Sequence, residues 1–331
     1  MRVLITGATG FVGAWTAEAV DHHGHQVRLL ARDPARAVAV AAELGFDGSD
    51  IVRGDMTDAE SVRAALTGCD AVIHAAAVVA LDPAAADRTI RATVVGAENV
   101  LGQAVAAGLD PVVSVSSAVA LWRPRCPLLH PDLPPGGGAD AYGVAKARVE
   151  RYARGLQRDG APVVITYPSS VLGPAVAGRF GESGDAVGAF LRSGIPGRGA
   201  AFSVADVRDV AQAHALLLEP GRGPRRYVIA GHHVTGAELA AELSTVSGRR
   251  VRHHRLPDAA LVAAGTLADR FRDRLPPSLR KLGAAGVRYL VDSPPADNSA
   301  AERDLGLTFR PVRQTLEDLL ADRKRLRATR S

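Results

Sequence analysis

The sequence predicts an α/β fold in which a doubly wound parallel sheet is followed by a smaller, mostly helical C-terminal lobe. Short β-branched apolar runs without polar alternation recur along the first part of the chain, as is typical of strands buried on both faces. Amphipathic stretches separate these runs, and such alternation favours right-handed crossovers and a parallel sheet covered by helices. Hydrophobic residues make up 47% of the 331 residues and charged residues 23%, a balance that permits a sizeable core.

The first part of the chain carries the alternating elements. The apolar runs predict strands at 3–6, 27–31, 51–52, 71–74, 112–115, 163–167 and 227–230. The amphipathic stretches between them predict helices at 11–21, 34–44, 59–66, 84–107 and 142–157.

The pattern changes after Pro174, where glycine and proline become dense and predict a loop-rich insertion. We expect one helix within it near 185–191 and a return to the sheet through a helix at 205–218. The later helices are predicted at 236–247, 258–274, 277–290 and 312–325. We therefore divide the chain into a first domain, residues 1–174 with 204–231, and a second lobe, residues 175–203 with 232–331. Small ligands usually bind in clefts between such parts.

Charge and cysteine content narrow the class of protein. The net charge is +5, but basic and acidic residues are interspersed, so we expect a surface that mildly favours anionic ligands and no nucleic-acid partner. Two cysteines without a CxxC motif indicate a reducing compartment. The paired histidines lack the spacing and the neighbouring cysteines of a zinc site, so no metal is expected.

Hydropathy gives no sign of export or membrane insertion. The chain opens directly on an apolar run, without the segments of a secretory signal. The longest apolar stretch, 71–81, contains His74 and is shorter than the ~20 residues of a membrane span. We expect a cytoplasmic protein. The basic, amphipathic stretch 250–290 leaves contact with a membrane surface as an alternative to substrate-lobe helices.

A glycine-rich turn follows the first predicted strand. Gly7, Gly10 and Gly13 are spaced three apart between a strand and a helix, where glycine allows a tight turn and close approach of a pyrophosphate. The helix start offers free N–H groups and a positive dipole end. Three incidental glycines are the alternative. We expect a Rossmann-type dinucleotide-binding domain in which the cofactor contacts Gly7, Thr9, Gly10, Phe11 and Val12.

The end of the second predicted strand bears on the choice of cofactor. Arg32 stands where an acidic residue would bind the ribose hydroxyls of NAD, and Arg36 follows one helical turn later. A guanidinium binds a phosphate through a fork of donors, which suits the 2′-phosphate of NADP. Asp33 is the competing hydroxyl acceptor, although its place before Pro34 is typical of a helix N-cap. NADP is therefore favoured over NAD.

Two further segments complete the predicted nucleotide site. Asp55 and Met56 follow the third strand, where a carboxylate can bind the adenine amino group. His74, Ala75 and Ala76 end the fourth strand, where small residues let the backbone pass close to a cofactor.

A tyrosine and a lysine share one face of the predicted helix after the fifth strand. Tyr142 and Lys146 are four residues apart, and an ammonium beside a phenol is expected to lower the phenol pKa from about 10 towards the useful range. Ser117, at the end of the fifth strand, can hydrogen-bond a reacting oxygen. Together these residues predict acid–base chemistry at a carbonyl or alcohol carbon.

These motifs together resemble the extended short-chain dehydrogenases/reductases. The resemblance covers roughly the first 230 residues and rests on TGATGFVG at 6–13, GDM at 54–56, HAAA at 74–77, VSS at 115–117, YGVAK at 142–146 and PSSVLGP at 168–174. It implies that Ser117, Tyr142 and Lys146 are catalytic and that Lys146 also binds the nicotinamide ribose. It further implies that Tyr167, Pro168 and Ser170 lie beside the cofactor, and that a homodimer forms through the helices at 84–107 and 142–157.

Within that family the chain looks most like the dihydroflavonol-reductase-like and 3β-hydroxysteroid-dehydrogenase-like members, because of residues 27–34, 204–214 and 305–311. Nucleotide-sugar enzymes usually carry an arginine and an asparagine where residues 167–170 stand here. Thr93 departs from the family pattern, which has an asparagine that helps to order the active site.

The sequence therefore predicts an NADP-dependent oxidoreductase that interconverts a carbonyl and an alcohol on a small, hydrophobic substrate. An NAD-dependent sugar-nucleotide epimerase or dehydratase and a non-catalytic nucleotide-binding protein are the alternatives. We expect the substrate pocket to be built from 118–140, 175–203 and the C-terminal helices. Its candidate residues are Trp122, His130, Arg179, Phe180 and Phe202.

Overall fold

The structure, a computed structural model, describes residues 1–78, 86–271 and 283–328. Its strands are β1 (Arg2–Thr6), β2 (Gln26–Ala31), β3 (Ile51–Arg53), β4 (Ala71–His74), β5 (Val112–Val115), β6 (Val163–Pro168), β7 (Ser170–Leu172), β8 (Ile195–Pro196), β9 (Ala201–Asp206), β10 (Arg225–Ile229), β11 (His232–Thr235) and β12 (His253–His254). Its helices are α1 (Phe11–His22), α2 (Pro34–Leu44), α3 (Ala59–Leu66), α4 (Ala86–Ala106), α5 (Ala118–Leu121), α6 (Ala141–Arg158), α7 (Gly181–Ser193), α8 (Val207–Leu216), α9 (Gly236–Ser247), α10 (Asp258–Arg270), α11 (Ala284–Val291), α12 (Ser299–Leu305) and α13 (Val312–Ala328).

The main sheet has seven parallel strands in the order β10-β6-β5-β4-β1-β2-β3. The seven predicted apolar runs match these strands to within two residues at either end. The order reverses at β1, which pairs with β2 on one side and β4 on the other. Ligands of such sheets bind outside the carboxyl ends of the strands at this reversal. The α/β, Rossmann-type fold class is thus confirmed.

Helices cover both faces of this sheet, and three buried clusters result. One joins β1 and β2 to α1, α2 and α8, and another joins β5 and β6 to α3, α4 and α6. His214 illustrates the packing: its ring nitrogens lie 2.9 Å from Thr16 Oγ1 and 3.1 Å from Thr166 Oγ1, which ties α8 to α1 and β6. Burial lowers its pKa to about 3, so the ring stays neutral at physiological pH.

Six helix starts in the described residues carry a side-chain cap. In each of them the cap oxygen accepts a backbone N–H of the first turn, and these caps are Asp33, Asp58, Ser117, Asp140, Asp206 and Thr235. Helix α1 differs, because its cap residue is Gly10 and makes no side-chain hydrogen bond. The N–H groups of its first turn are therefore free of side-chain partners in the described part of the chain.

The insertion after Pro174 holds more regular structure than its composition predicts. It contains α7, β8 and the start of β9, and β9 is the central strand of a second sheet in the order β11-β9-β7. The predicted helix start at 205 was wrong, since Ala205 pairs with Val171 in this sheet and α8 begins only at Val207. Asp206 sets that start by accepting the Arg208 N–H at 2.9 Å. Helix α7 extends beyond the predicted 185–191 at both ends.

Parts of three predicted helices, 84–85, 272–274 and 277–282, lie outside the described residues. The rest of those predictions appears as α4, α10 and α11. The division into a first domain and a substrate lobe stays a prediction.

A search of the described residues for a helix with enough length and apolar character to cross a membrane found none.

Candidate functional site

The glycine turn between β1 and α1 lies against the end of β4. Gly7 has a φ of +83°, and a Cβ added there would lie 2.7 Å from the Ala76 nitrogen. A Cβ on Gly13 would lie 2.3 Å from the Gly7 carbonyl oxygen. Both positions therefore require glycine, one for its backbone conformation and one for close packing of helix on turn.

This turn fits a dinucleotide pyrophosphate. Thr9, Gly10, Phe11 and Val12 form the rim of the turn and the uncapped start of α1, where free N–H groups and the helix dipole favour an anion. Phe11 also contacts the start of α7, because a Cβ on Gly181 would lie 2.9 Å from its ring. The structure thus brings the predicted phosphate-binding residues together at the reversal of strand order.

The residues after β2 take distinct roles. Asp33 caps α2 by accepting the Arg36 N–H at 3.2 Å. The Arg36 guanidinium reaches back to the Thr9 carbonyl oxygen at 2.9 Å, beside the glycine turn. The Arg32 side chain is 79% exposed and lies 3.8 Å from Asp55. Because the Asp33 carboxylate is engaged as a helix cap and the Arg32 guanidinium is exposed, the surface after β2 is suited to bind an anion.

The segments after β3 and β4 also border the turn. Asp55 accepts hydrogen bonds from the backbone N–H and hydroxyl of Thr57, both at 2.9 Å, while Met56 packs against α4 at Gly96. His74 is buried, with its Nδ1 2.8 Å from Thr6 Oγ1. Burial and the charge of Lys146 lower the pKa of His74 to about 3, so a neutral imidazole braces β1 against β4.

The three predicted catalytic residues, Ser117, Tyr142 and Lys146, come together between the carboxyl end of β5 and the start of α6. Ser117 follows β5, caps α5 by accepting the Val119 N–H at 3.3 Å, and is near enough to Tyr142 to lower the pKa of its phenol. Lys146 is buried and donates to the Val115 carbonyl oxygen at 2.8 Å. Its Nζ lies 5.8 Å from the centroid of the Tyr142 ring. A phenol, a hydroxyl and an ammonium thus face one point beside the nucleotide turn.

The expected direction of the Tyr142 pKa was wrong for this structure. Burial raises the pKa of this phenol above its ordinary value, and the charges of Glu182 and Asp140 raise it further. The hydrogen bond with Ser117 opposes these effects without cancelling them. Desolvation therefore dominates the pKa of Tyr142, and in this structure the protonated phenol is a proton donor at neutral pH.

Lys146 is shifted in the opposite direction. Burial lowers its pKa from 10.5 to about 8, although Glu150 acts to raise it. Between these values the unfolded chain binds more protons than the folded protein, so this lysine makes stability rise with pH.

We expect this contribution to be measurable in the isolated protein. From about pH 7.5 to about pH 9.5 the unfolding free energy of the wild type should gain about 1 to 2 kcal/mol relative to Lys146→Met. Urea denaturation at both pH values measures it. Parallel pH dependence in the two proteins would show that Lys146 keeps an ordinary pKa.

Four polar side chains recur at every fourth residue of α6 and therefore share one face of the helix. They are Tyr142, Lys146, Glu150 and Arg154. Glu150 is fully buried and accepts hydrogen bonds from Ser116 at 2.9 Å and from Arg154 at 2.6 Å. The sequence argument missed both charged residues, although the repeated spacing of four was the available signal.

Tyr167 belongs to this network. Its side chain is fully buried, and its hydroxyl donates to Glu150 at 2.5 Å and accepts from Arg154 at 3.0 Å. The Tyr167 side chain is therefore engaged in the buried network of α6, and only the backbone of Tyr167 remains available to a cofactor. Pro168 and Ser170 stand at the adjacent carboxyl end, where β6 passes into β7.

We expect Tyr167→Phe to lower the unfolding free energy by about 1 to 3 kcal/mol, because it leaves buried charged groups short of a hydrogen bond. Urea denaturation measures the loss. Tyr152→Phe is the matched control, since its hydroxyl makes only a 3.4 Å hydrogen bond to the Glu98 carbonyl oxygen. Equal effects of the two substitutions would contradict the network.

A pocket of about 390 Å³ adjoins the first turn of α6. It lies between the segment after α5, the turn before α6, and helices α10 and α11, and Trp122 forms part of its wall. Of the other expected pocket residues, Phe180 and Phe202 pack in the hydrophobic cluster that joins α7, α9 and α13, and His130 faces Asp132 and Asp297.

Helix α11 is connected to the start of α6 through the side chain of Tyr289. The Tyr289 hydroxyl accepts the Ala139 N–H at 2.8 Å and lies 3.2 Å from Asp140 Oδ1, to which it donates. Its ring meets Trp122 edge-on at 4.9 Å between centroids. The sequence argument missed Tyr289, which has no local motif.

Thr93 stands where the family resemblance leads us to expect an asparagine. Its hydroxyl accepts the Val78 N–H at 3.2 Å, at the last residue described after β4. Among the described residues, no group of three or more histidine, cysteine, aspartate or glutamate side chains could hold a metal ion.

Comparison with known proteins gives matches over most of the chain. The model of the NAD dependent epimerase/dehydratase family matches residues 3–230. Cinnamoyl-CoA reductase 1 of Oryza sativa subsp. japonica is 32% identical over 72% of this chain and 73% of its own length. A putative dihydroflavonol 4-reductase of Synechocystis is 29% identical over 95% and 92% of the two chains. The crystal structure of gox2253 has a TM-score of 0.80, with 25% identity over 98% of both chains. The resemblance inferred from the motifs is confirmed.

Proposed function

This chain belongs to the NAD dependent epimerase/dehydratase family, and we propose that it is an NADP-dependent oxidoreductase that interconverts a carbonyl and an alcohol on a small hydrophobic substrate. The observation that carries the proposal is the meeting of Ser117, Tyr142 and Lys146 beside the glycine turn. A protein that only binds nucleotides needs no buried ammonium next to a phenol.

The residues of the chain divide the work as follows. When bound, the nicotinamide ring supplies or accepts the hydride. Ser117 hydrogen-bonds the reacting oxygen, and Tyr142, kept protonated by its surroundings, donates a proton to that oxygen as negative charge develops there. Lys146 stabilises the resulting tyrosinate and, by family resemblance, holds the nicotinamide ribose. In the reverse direction the tyrosinate removes the alcohol proton.

The preference for NADP rests on Arg32 and Arg36. Asp33 is engaged as the cap of α2, whereas Arg32 is exposed at the end of β2 and Arg36 lies beside the turn. Two guanidinium groups there favour the 2′-phosphate that distinguishes NADP from NAD.

We expect Arg32→Gln to raise the KM for NADPH by about 10-fold, the equivalent of one charge-assisted hydrogen bond. The KM for NADH should stay unchanged. Steady-state kinetics with both cofactors measures the difference. An equal rise in both values would mean that Arg32 does not contact the 2′-phosphate.

The proposed reaction is tested by following oxidation of NADPH and NADH with a panel of ketones, aldehydes and sugar nucleotides. We expect net consumption of NADPH with apolar carbonyl compounds. Failure of every carbonyl compound, with NADPH shown to bind, would refute the proposal.

The family description favours one further candidate, an NAD-dependent sugar-nucleotide epimerase or dehydratase. Such an enzyme oxidises and re-reduces one substrate, so it consumes no cofactor. Turnover of a sugar nucleotide without net oxidation of added cofactor would identify it. The apolar pocket walls, Trp122, Val262 and Val291, fit a hydrophobic carbonyl compound better.

A further inference from the structure

The pocket beside α6 has rigid walls. Trp122 donates its indole N–H to the Asp292 carbonyl oxygen at 2.9 Å, which fixes the ring against the end of α11. On the opposite side, a Cβ on Gly138 would lie 2.3 Å from the Gly143 carbonyl carbon, so this wall lies directly on the first turn of the catalytic helix. The pocket lining therefore packs against the helix turn that carries Tyr142.

The carboxylates around this pocket already have donors. Asp140 Oδ1 accepts hydrogen bonds from the Gly143 N–H at 2.8 Å and from the Tyr289 hydroxyl. Asp292 Oδ2 accepts the Arg125 N–H at 2.8 Å. Neither carboxylate needs a cationic ligand to complete its hydrogen bonds.

The two guanidinium groups that line the pocket have N–H donors that no group in the described residues accepts. Arg123 donates one N–H to the Pro134 carbonyl oxygen, but its Nε is buried without a partner in the part of the chain that the structure describes. Arg288 is exposed and, within residues 1–78, 86–271 and 283–328, has neither a hydrogen bond nor an ion pair from its side chain. Each guanidinium carries five N–H donors and no acceptor, so an anion is the ligand that these groups would bind most strongly.

We propose that this pocket binds the end of the substrate remote from its carbonyl group, and that this end carries a carboxylate or a phosphate held by Arg123 and Arg288. The inference rests on the proposed reductase reaction and adds its substrate class. The apolar middle of the substrate lies along Trp122, Val262 and Val291, and its anionic end faces the two arginines.

Matched aromatic aldehydes test the proposal by turnover. The probes are para-formylbenzoate, its neutral methyl ester and para-formylphenyl phosphate, which share one ring and one reacting group. We expect kcat/KM to be about 10- to 100-fold higher for an anionic aldehyde than for the ester, as charge-assisted hydrogen bonds allow. The better of the two anionic aldehydes identifies the carboxylate or the phosphate as the recognised group.

Arg288→Gln should reduce that advantage to about twofold or less while leaving kcat/KM for the ester unchanged. Arg255→Gln is the matched control, because Arg255 is exposed and lies outside the pocket lining. Equal kcat/KM values for the ester and both anionic aldehydes in the wild type would overturn the proposal, as would an equal loss on all aldehydes in Arg288→Gln.

Calorimetric binding of terephthalate, which offers no carbonyl to reduce, separates the pocket from the reaction. We expect the NADPH-loaded protein to bind terephthalate and Arg288→Gln to bind it about 10-fold more weakly. Such binding without reduction of any aldehyde would support the anion pocket and refute only the proposed reaction. Reduction of the ester without binding of terephthalate would keep the reaction and refute the pocket.

Discussion

Tyr142→Phe is expected to lower kcat by about 10³-fold, because it removes the proton donor and leaves the rest of the site in place. The affinity for NADPH should change little, since the substitution leaves the glycine turn and Lys146 in place. Steady-state turnover and equilibrium binding of NADPH, measured on the same protein, separate the two effects.

Tyr152→Phe on the same helix is the control for this substitution, and its kcat should match that of the wild type. Near-normal turnover by Tyr142→Phe would require another proton donor at the site. A loss of NADPH binding equal to the loss of turnover would instead indicate a structural role for the phenol.

Gly13→Ala is expected to weaken NADPH binding by about 100-fold, the equivalent of two charge-assisted hydrogen bonds. The added methyl group would lie 2.3 Å from the Gly7 carbonyl oxygen and 2.6 Å from the Gly7 carbonyl carbon. Both atoms belong to the backbone of Gly7, which cannot yield as a flexible side chain would. Helix α1 must therefore move away from the turn, and the proposed contacts of its N–H groups with the pyrophosphate would be lost. Fluorescence titration with NADPH measures the loss.

Gly286→Ala in α11 provides the matched comparison, since a Cβ at that position meets nothing within 4 Å. This substitution should leave NADPH binding unchanged and stabilise the helix by up to about 1 kcal/mol. Wild-type affinity in Gly13→Ala would mean that the turn does not hold the pyrophosphate.

The elements of the main sheet were predictable because their signals are local. A continuous apolar run such as 71–74 fits a strand buried on both faces, and the spacing of Tyr142 and Lys146 fits one face of a helix. The second sheet was missed because β7 has three residues and β11 has four, too few to show a period, and glycines surround them.

The electrostatics of the site were less predictable, since burial is a tertiary property. The spacing of Tyr142 and Lys146 indicated proximity, but the balance between desolvation and charge that raises the phenol pKa depends on what covers both groups. Glu150 and Arg154 have the spacing of an exposed ion pair, and only their packing against β5 and β6 makes them a buried support for Ser116. Alternation along β6 likewise directs the Tyr167 side chain into this network.

The most direct test of the account follows one hydrogen atom. The protein is incubated with an apolar aldehyde and NADPH carrying deuterium at the transferable position of the nicotinamide, and the product alcohol is analysed by mass spectrometry. We predict deuterium on the new alcohol carbon with the wild type, and a rate of label transfer lowered about 10³-fold in Tyr142→Phe. Alcohol without deuterium, or equal label transfer by the two proteins, would contradict hydride transfer assisted by this tyrosine.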